Sequence, residues 1–245
     1  MDTQFTQTII GIFRDCDQKM QNDEYQQAAR LCKHAEDLLN QAARKLDKER
    51  DKRAVSSLLD FFCLFYSKLA TAYRYLNEIE NTRIYAELTW RALHENAEGE
   101  IRLRGLYGDL ASVWLMSDKS DQAEKCYDRL ISLEETACGS KSDLKIARMC
   151  DSIATQIAKW GNPKLTYKYY EYALAVTEKY VDQNKDRINR LKKLPDGNVV
   201  YTIRTSEEKE VLVFRAILED LKPMKNQVMS PPLIDRIRAI AAKMK

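Results

Sequence analysis

Proline and glycine are scarce in this chain. Of 245 residues only 5 are Pro and 7 are Gly, and no proline precedes Pro163. Together they make up about 5% of the sequence against a usual roughly 12%, which excludes a β-sandwich or barrel needing a turn every 8–12 residues or so. Histidine is nearly absent too, with only His34 and His94. Neither stands at zinc-ligand spacing from the six cysteines, Cys16, Cys32, Cys63, Cys126, Cys138 and Cys150, and no C-x-x-C pair occurs, so no metal site is expected. The sequence has no Gly-rich phosphate loop, no G-x-S-x-G and no H-E-x-x-H. The expectation is a chain with no catalytic residue and no cofactor. Long apolar runs are missing as well: no stretch of 18 residues is apolar throughout, and Met1 to Phe13 lacks the basic start and apolar centre of a signal peptide. No membrane partner is expected, and thiols without an evident pairing pattern point to the cytoplasm or the nucleus.

A large excess of one charge is also lacking. Forty Lys and Arg against 37 Asp and Glu leave a net charge of +3, far from the strongly basic balance of a nucleic-acid-binding domain. The distribution is uneven. Residues 185–245 carry 14 basic and 8 acidic side chains, leaving the preceding body slightly acidic.

What the sequence does contain is apolar residues at helical spacing almost throughout. The interruptions fall at Asn22–Asp23, Asn77–Glu78, Ala97–Gly99, Asp118–Ser120, Gly139–Ser140, Gly161–Pro163 and Pro195–Gly197. They predict about eight helices up to residue 185, paired antiparallel because the connections are short. A brief extended stretch is expected at 199–203. Beyond it, a helix opens near Thr205, with Glu208 at capping-box spacing, and runs to about Leu221.

Internal repetition is the strongest signal. Tyr107, Leu110, Ala111 and Trp114, a turn at Asp118–Ser120, then Ala123, Tyr127 and Leu130 make one unit. The spacing recurs in Cys150, Ile153, Ala154 and Ile157 followed by Thr166, Tyr170 and Ala173. It recurs again in Tyr66, Leu69, Ala70 and Tyr73 followed by Thr82, Ala86 and Thr89, and more loosely in Phe13, Cys16 and Met20 followed by Ala28, Cys32 and Ala35. Small residues let two antiparallel backbones approach, and the aromatics fill the volume around them. The pattern resembles the tetratricopeptide repeat over residues 5 to about 180. Its anchors are 54, 41 and 43 residues apart against the standard 34, which places the likeness with the elongated-repeat branch.

That resemblance implies an all-α, right-handed superhelical solenoid of antiparallel hairpins. Residues 1–184 would form the repeat domain, 185–205 a basic linker, and 206–245 helices that cap the array or serve assembly. It also implies a noncatalytic scaffold whose first helices line a groove for a partner protein segment. Carried over residue by residue, the groove would hold Lys68, Thr71, Arg74 and Tyr75, then Ser112 and Met116, then Arg148, Asp151, Thr155 and Lys159. The cations among these point to an acidic or phosphorylated partner. Lys185, Arg187, Arg190, Lys192 and Lys193 form the densest basic run. It supports the alternative, a subunit of a larger protein or ribonucleoprotein assembly that uses the end surface and the basic tail.

Overall fold

In the computed structural model, residues 3–46, 51–141, 143–183 and 239 are described. The expected extended stretch, the capping helix and the basic run at 185–193 lie outside these residues. Among the described residues there are no strands. The helices are α1 (Thr3–Gln21), α2 (Tyr25–Ala43), α3 (Lys52–Tyr75), α4 (Ile79–Glu95), the single turn α5 (Ala97–Glu100), α6 (Leu106–Met116), α7 (Ser120–Cys138), α8 (Leu144–Lys159) and α9 (Pro163–Gln183). The chain separates into two compact units, Met1–Leu133 and Glu134–Lys245, the division falling inside α7.

Four hairpins are closed by the same local chemistry. Asp23, Asn77, Asp118 and Gly161 all have left-handed backbones, with φ of 60°, 59°, 57° and 71°. At each, the N–H donates to the carbonyl three residues back at 3.1–3.2 Å. In the first three, the next N–H reaches five residues back, Glu24 to Lys19, Glu78 to Tyr73 and Lys119 to Trp114, each at 2.9 Å. These paired bonds form a Schellman ending, which satisfies carbonyls that the helix would otherwise strand. In the fourth hairpin the Asn162 side chain takes over the start of α9, accepting from the Leu165 N–H at 3.1 Å, with Pro163 in the first helical position.

Counting from these left-handed residues gives the packing. Seven residues earlier stand Cys16, Ala70, Ala111 and Ala154; five residues later stand Ala28, Thr82, Ala123 and Thr166. All eight are at most 1% exposed. Nine residues later, Cys32, Ala86, Tyr127 and Tyr170 are equally buried. Small side chains at fixed positions on both helices therefore set the close approach in every hairpin, and Tyr127 and Tyr170 fill the wider spaces. The two buried threonines return their hydroxyls to the carbonyls four residues back, Thr82 to Glu78 and Thr166 to Asn162, so neither introduces an unmet polar group.

In the first unit the hairpins stack, α2 against α3, and α6 against both α3 and α4. The 24-residue α3 is the one helix, among the described residues, long and apolar enough by composition to cross a membrane. Here it is the central helix of the unit, with Phe65, Leu69, Ala70 and Ala72 fully buried. Each such Leu or Phe contributes about 1.5–3 kcal/mol of burial. Among the described residues α2 ends at Ala43 and α3 begins at Lys52.

A polar network ties α4, α5, α6 and α7 together. Glu100, whose side chain is only 8% exposed, accepts from Arg129 Nε at 2.8 Å and Nη2 at 2.6 Å and from the Tyr107 hydroxyl at 2.6 Å. Burial alone would raise the pKa of this carboxyl, but the guanidinium fork and the phenol outweigh burial and hold it below the ordinary range.

Candidate functional site on the first helices

On α1, α3 and α6 three positions, nine, six and two residues before each left-handed turn residue, are at least part-exposed. These are Arg14, Asp17 and Gln21; Lys68, Thr71 and Tyr75; Asp109, Ser112 and Met116. The i, i+3 and i+4 relation puts each triplet on one helix face. Contacts between helices show that the faces adjoin. Lys68 forms an ion pair with Asp17 and sits 4.4 Å from the centre of the Phe13 ring, and Phe13 meets Phe65 edge-on at 5.6 Å.

This geometry changes the charge expected of the site. Lys68 is committed to Asp17 and does not stand free for an incoming anion. Asp109 keeps an exposed edge, but the packed protein around its carboxyl raises the pKa above the usual value, and the nearby Lys68 cation only partly offsets this. The centre of the face is thus a mixed arrangement of Arg14, Asp17, Lys68 and Asp109, and not the cationic lining read from the sequence.

Other expected groove residues are already in use. Thr71 donates to the Ser67 carbonyl at 3.0 Å, and Ser112 to the Gly108 carbonyl at 3.0 Å. Tyr75 is 55% exposed and stacks flat on Tyr25, ring centres 4.4 Å apart. Met116 stays half-buried at the end of α6. In the second unit, α8 repeats the three positions as Ser152, Thr155 and Lys159, of which Ser152 and Lys159 are exposed and Thr155 is bonded to the Tyr170 hydroxyl at 3.1 Å.

Two expected residues leave the face. Asp151 is only 5% exposed, because it occupies the position ten before the turn residue, which is buried at Ser67 as well. Arg74 takes the position filled in α6 by the buried Leu115, and its Nε is buried with no hydrogen-bond partner among the described residues. Arg148, exposed and four residues before Ser152, continues the same face one turn toward the start of α8. Conversely, Arg14, Asp17 and Gln21 were missed because the first repeat is the loosest in sequence. Counting back from Asp23 at the spacing of the other units would have found them.

Among the described residues no three His, Cys, Asp or Glu side chains gather in a way that could hold a metal ion. His94 packs against Trp90, ring centres 4.5 Å apart, and its Nδ1 lies 3.2 Å from the Tyr107 hydroxyl. Cys16 and Cys32 are buried thiols with sulfurs 2.9 Å apart at the α1–α2 crossing. Their mutual hydrogen bond lowers the pKa of Cys16, while that bond and burial raise that of Cys32.

No protein-family profile matches this chain, and no curated protein matches it in sequence. Among solved structures it is similar to the crystal structure of BtubC (BKLC) from P. vanneervenii, covering 99% of this chain and 93% of that one, at 17% identity and a TM-score of 0.43. That likeness is too loose to bear on family or function.

Proposed function

We propose that this protein is a noncatalytic scaffold of tetratricopeptide-like hairpins, stacked with a right-handed superhelical twist, that holds a segment of another protein against its first helices. One observation carries the reading: the same three positions are at least part-exposed on α1, α3, α6 and α8, around a small residue that is fully buried on all four, Cys16, Ala70, Ala111 and Ala154. A face repeated in register, on helices already fixed by packing, can order an extended or helical segment at little cost to itself. In the first unit Asp109 is a carboxyl on that face with no ion pair among the described residues, so this part of the face suits a segment bringing a donor or a cation. The cytoplasm or nucleus remains the compartment proposed for it.

The test compares the tagged protein with its Asp109→Arg variant, each captured from native extract with and without nuclease. The scaffold reading expects a nuclease-resistant protein partner that the variant loses while its circular dichroism and melting temperature stay unchanged. Equal retention by both would refute the assignment of the face. Loss of every partner on nuclease treatment would favour the alternative, an assembly subunit held through its basic residues to nucleic acid.

A further inference from the structure

Besides Arg14, other uncommitted cations of the first unit gather on and beside its second helices. An open pocket of about 420 Å³ between α4 and the α6–α7 turn is lined by Arg83, Arg91, Lys119 and Lys125, with Glu87 as its one acidic side chain. Arg83 is partly spent on its own helix, bonding Glu80 at 3.1 Å and approaching Glu87 at 3.8 Å. The side chains of Arg91, Lys119 and Lys125 are exposed and make no hydrogen bond or ion pair among the described residues. Beneath them the lining is apolar: Trp90 is half-buried, Trp114 is 6% exposed and Cys126 is 1% exposed. Burial pushes the Cys126 thiol up to about 12, so it stays neutral and adds no charge to the floor.

We infer that this pocket is a second binding site, independent of the first-helix face, for an acidic segment of a partner protein that seats an apolar side chain on the tryptophan floor. The cations stand at the rim, on two helices, in an arrangement that suits several carboxylates spread along a peptide. Its surroundings are apolar in the way a protein partner requires. Ile79 and Ile84, one turn before Arg83 and Glu87 on α4, are 65% and 45% exposed. Nucleic acid fits less well: Trp114 is too covered to stack a base. The basic run at 185–193 carries the same sign as the rim and does not suit it as an occupant.

The experiment uses the full chain and a fluorescein-labelled peptide of about twelve residues that sets Asp and Glu around a central Leu and Phe. Two controls accompany it: the same peptide with Asn and Gln replacing the acids, and a single-stranded RNA of equal charge. The acidic peptide should bind and weaken with salt, and the neutral peptide should not bind. The pair Lys119→Glu and Lys125→Glu should raise Kd about tenfold or more. Both side chains are exposed, and a Glu at 119 suits the start of α7, so the fold should survive; circular dichroism verifies this. Arg91→Glu, on α4, should act in the same direction. Acidic-peptide binding indifferent to these reversals would overturn the site. So would RNA that binds more tightly than the peptide and is lost with the same substitutions.

Discussion

Replacing Arg129 by Met keeps most of the aliphatic stem and removes the fork that neutralises Glu100. The carboxylate is 8% exposed and would keep only the Tyr107 hydroxyl, at 2.6 Å. Stripping one partner from a fully buried pair costs about 3–5 kcal/mol. Arg129 is 39% exposed, so water screens part of the interaction and the expected loss is about 2–3 kcal/mol. Glu100→Gln should cost about 1.5–3 kcal/mol through its weakened charge-assisted bonds. Combining the two should cost less than their sum, with a coupling of about 1–2 kcal/mol. The pH dependence has a definite sign. Because folding holds the Glu100 carboxyl below its ordinary 4.5, the pair's stabilisation is present above that value and fades as pH falls through the lower, folded value. Urea unfolding followed by tryptophan fluorescence at pH 7 and at pH 4 measures both effects. The penalty of Arg129→Met should be larger at pH 7. A loss below about 0.5 kcal/mol, or one that does not change with pH, would refute the reasoning.

Three further outcomes follow from the packing. Asn77→Gly should stabilise the chain by a few tenths to about 1 kcal/mol, because Asn77 holds φ at 59° where glycine carries no steric penalty, and Gly161→Ala should cost about 1–2 kcal/mol for the converse reason; chemical denaturation reads both. A Cβ on Gly99 would clash with Asn96 Nδ2 and Asp60 Oδ1, which are hydrogen-bonded to each other at 2.7 Å, so Gly99→Ala should destabilise by about 1–3 kcal/mol in a thermal melt. Of the six thiols only Cys138 is not fully buried, so alkylation of the native protein resolved by mass spectrometry should modify Cys138 first and the other five only on unfolding.

The hairpins were legible because their signal is local. Small residues at Ala70, Ala111, Ala154 and Ala123 mark the crossings, and Asp23, Asn77, Asp118 and Gly161 are residue types that tolerate left-handed backbone. The same spacing located Lys68, Thr71, Tyr75, Ser112, Met116, Thr155 and Lys159 on the accessible rows. What sequence could not supply was pairing between helices. Nothing in the spacing of Lys68 and Asp17, 51 residues apart, announces that one neutralises the other. Arg74 and Asp151 show the matching error for burial: each is polar, but each occupies a position whose counterpart in another hairpin is buried, and position in the repeat prevails over residue type. The cationic pocket was missed for a similar reason, since Arg91 on α4 and Lys119 and Lys125 beyond the α6–α7 turn come together only through stacking of the hairpins.

Site-specific photo-crosslinking tests the first-helix face most directly. A photoreactive residue would replace Gln21, Met116 or Ser152, each in an accessible row, or Gln26, an exposed control on α2, and irradiation would be done in native extract after nuclease treatment. The account predicts crosslinks to the same protein from the row positions and none from Gln26. Crosslinks from Gln26 alone, or none from any row position, would contradict it.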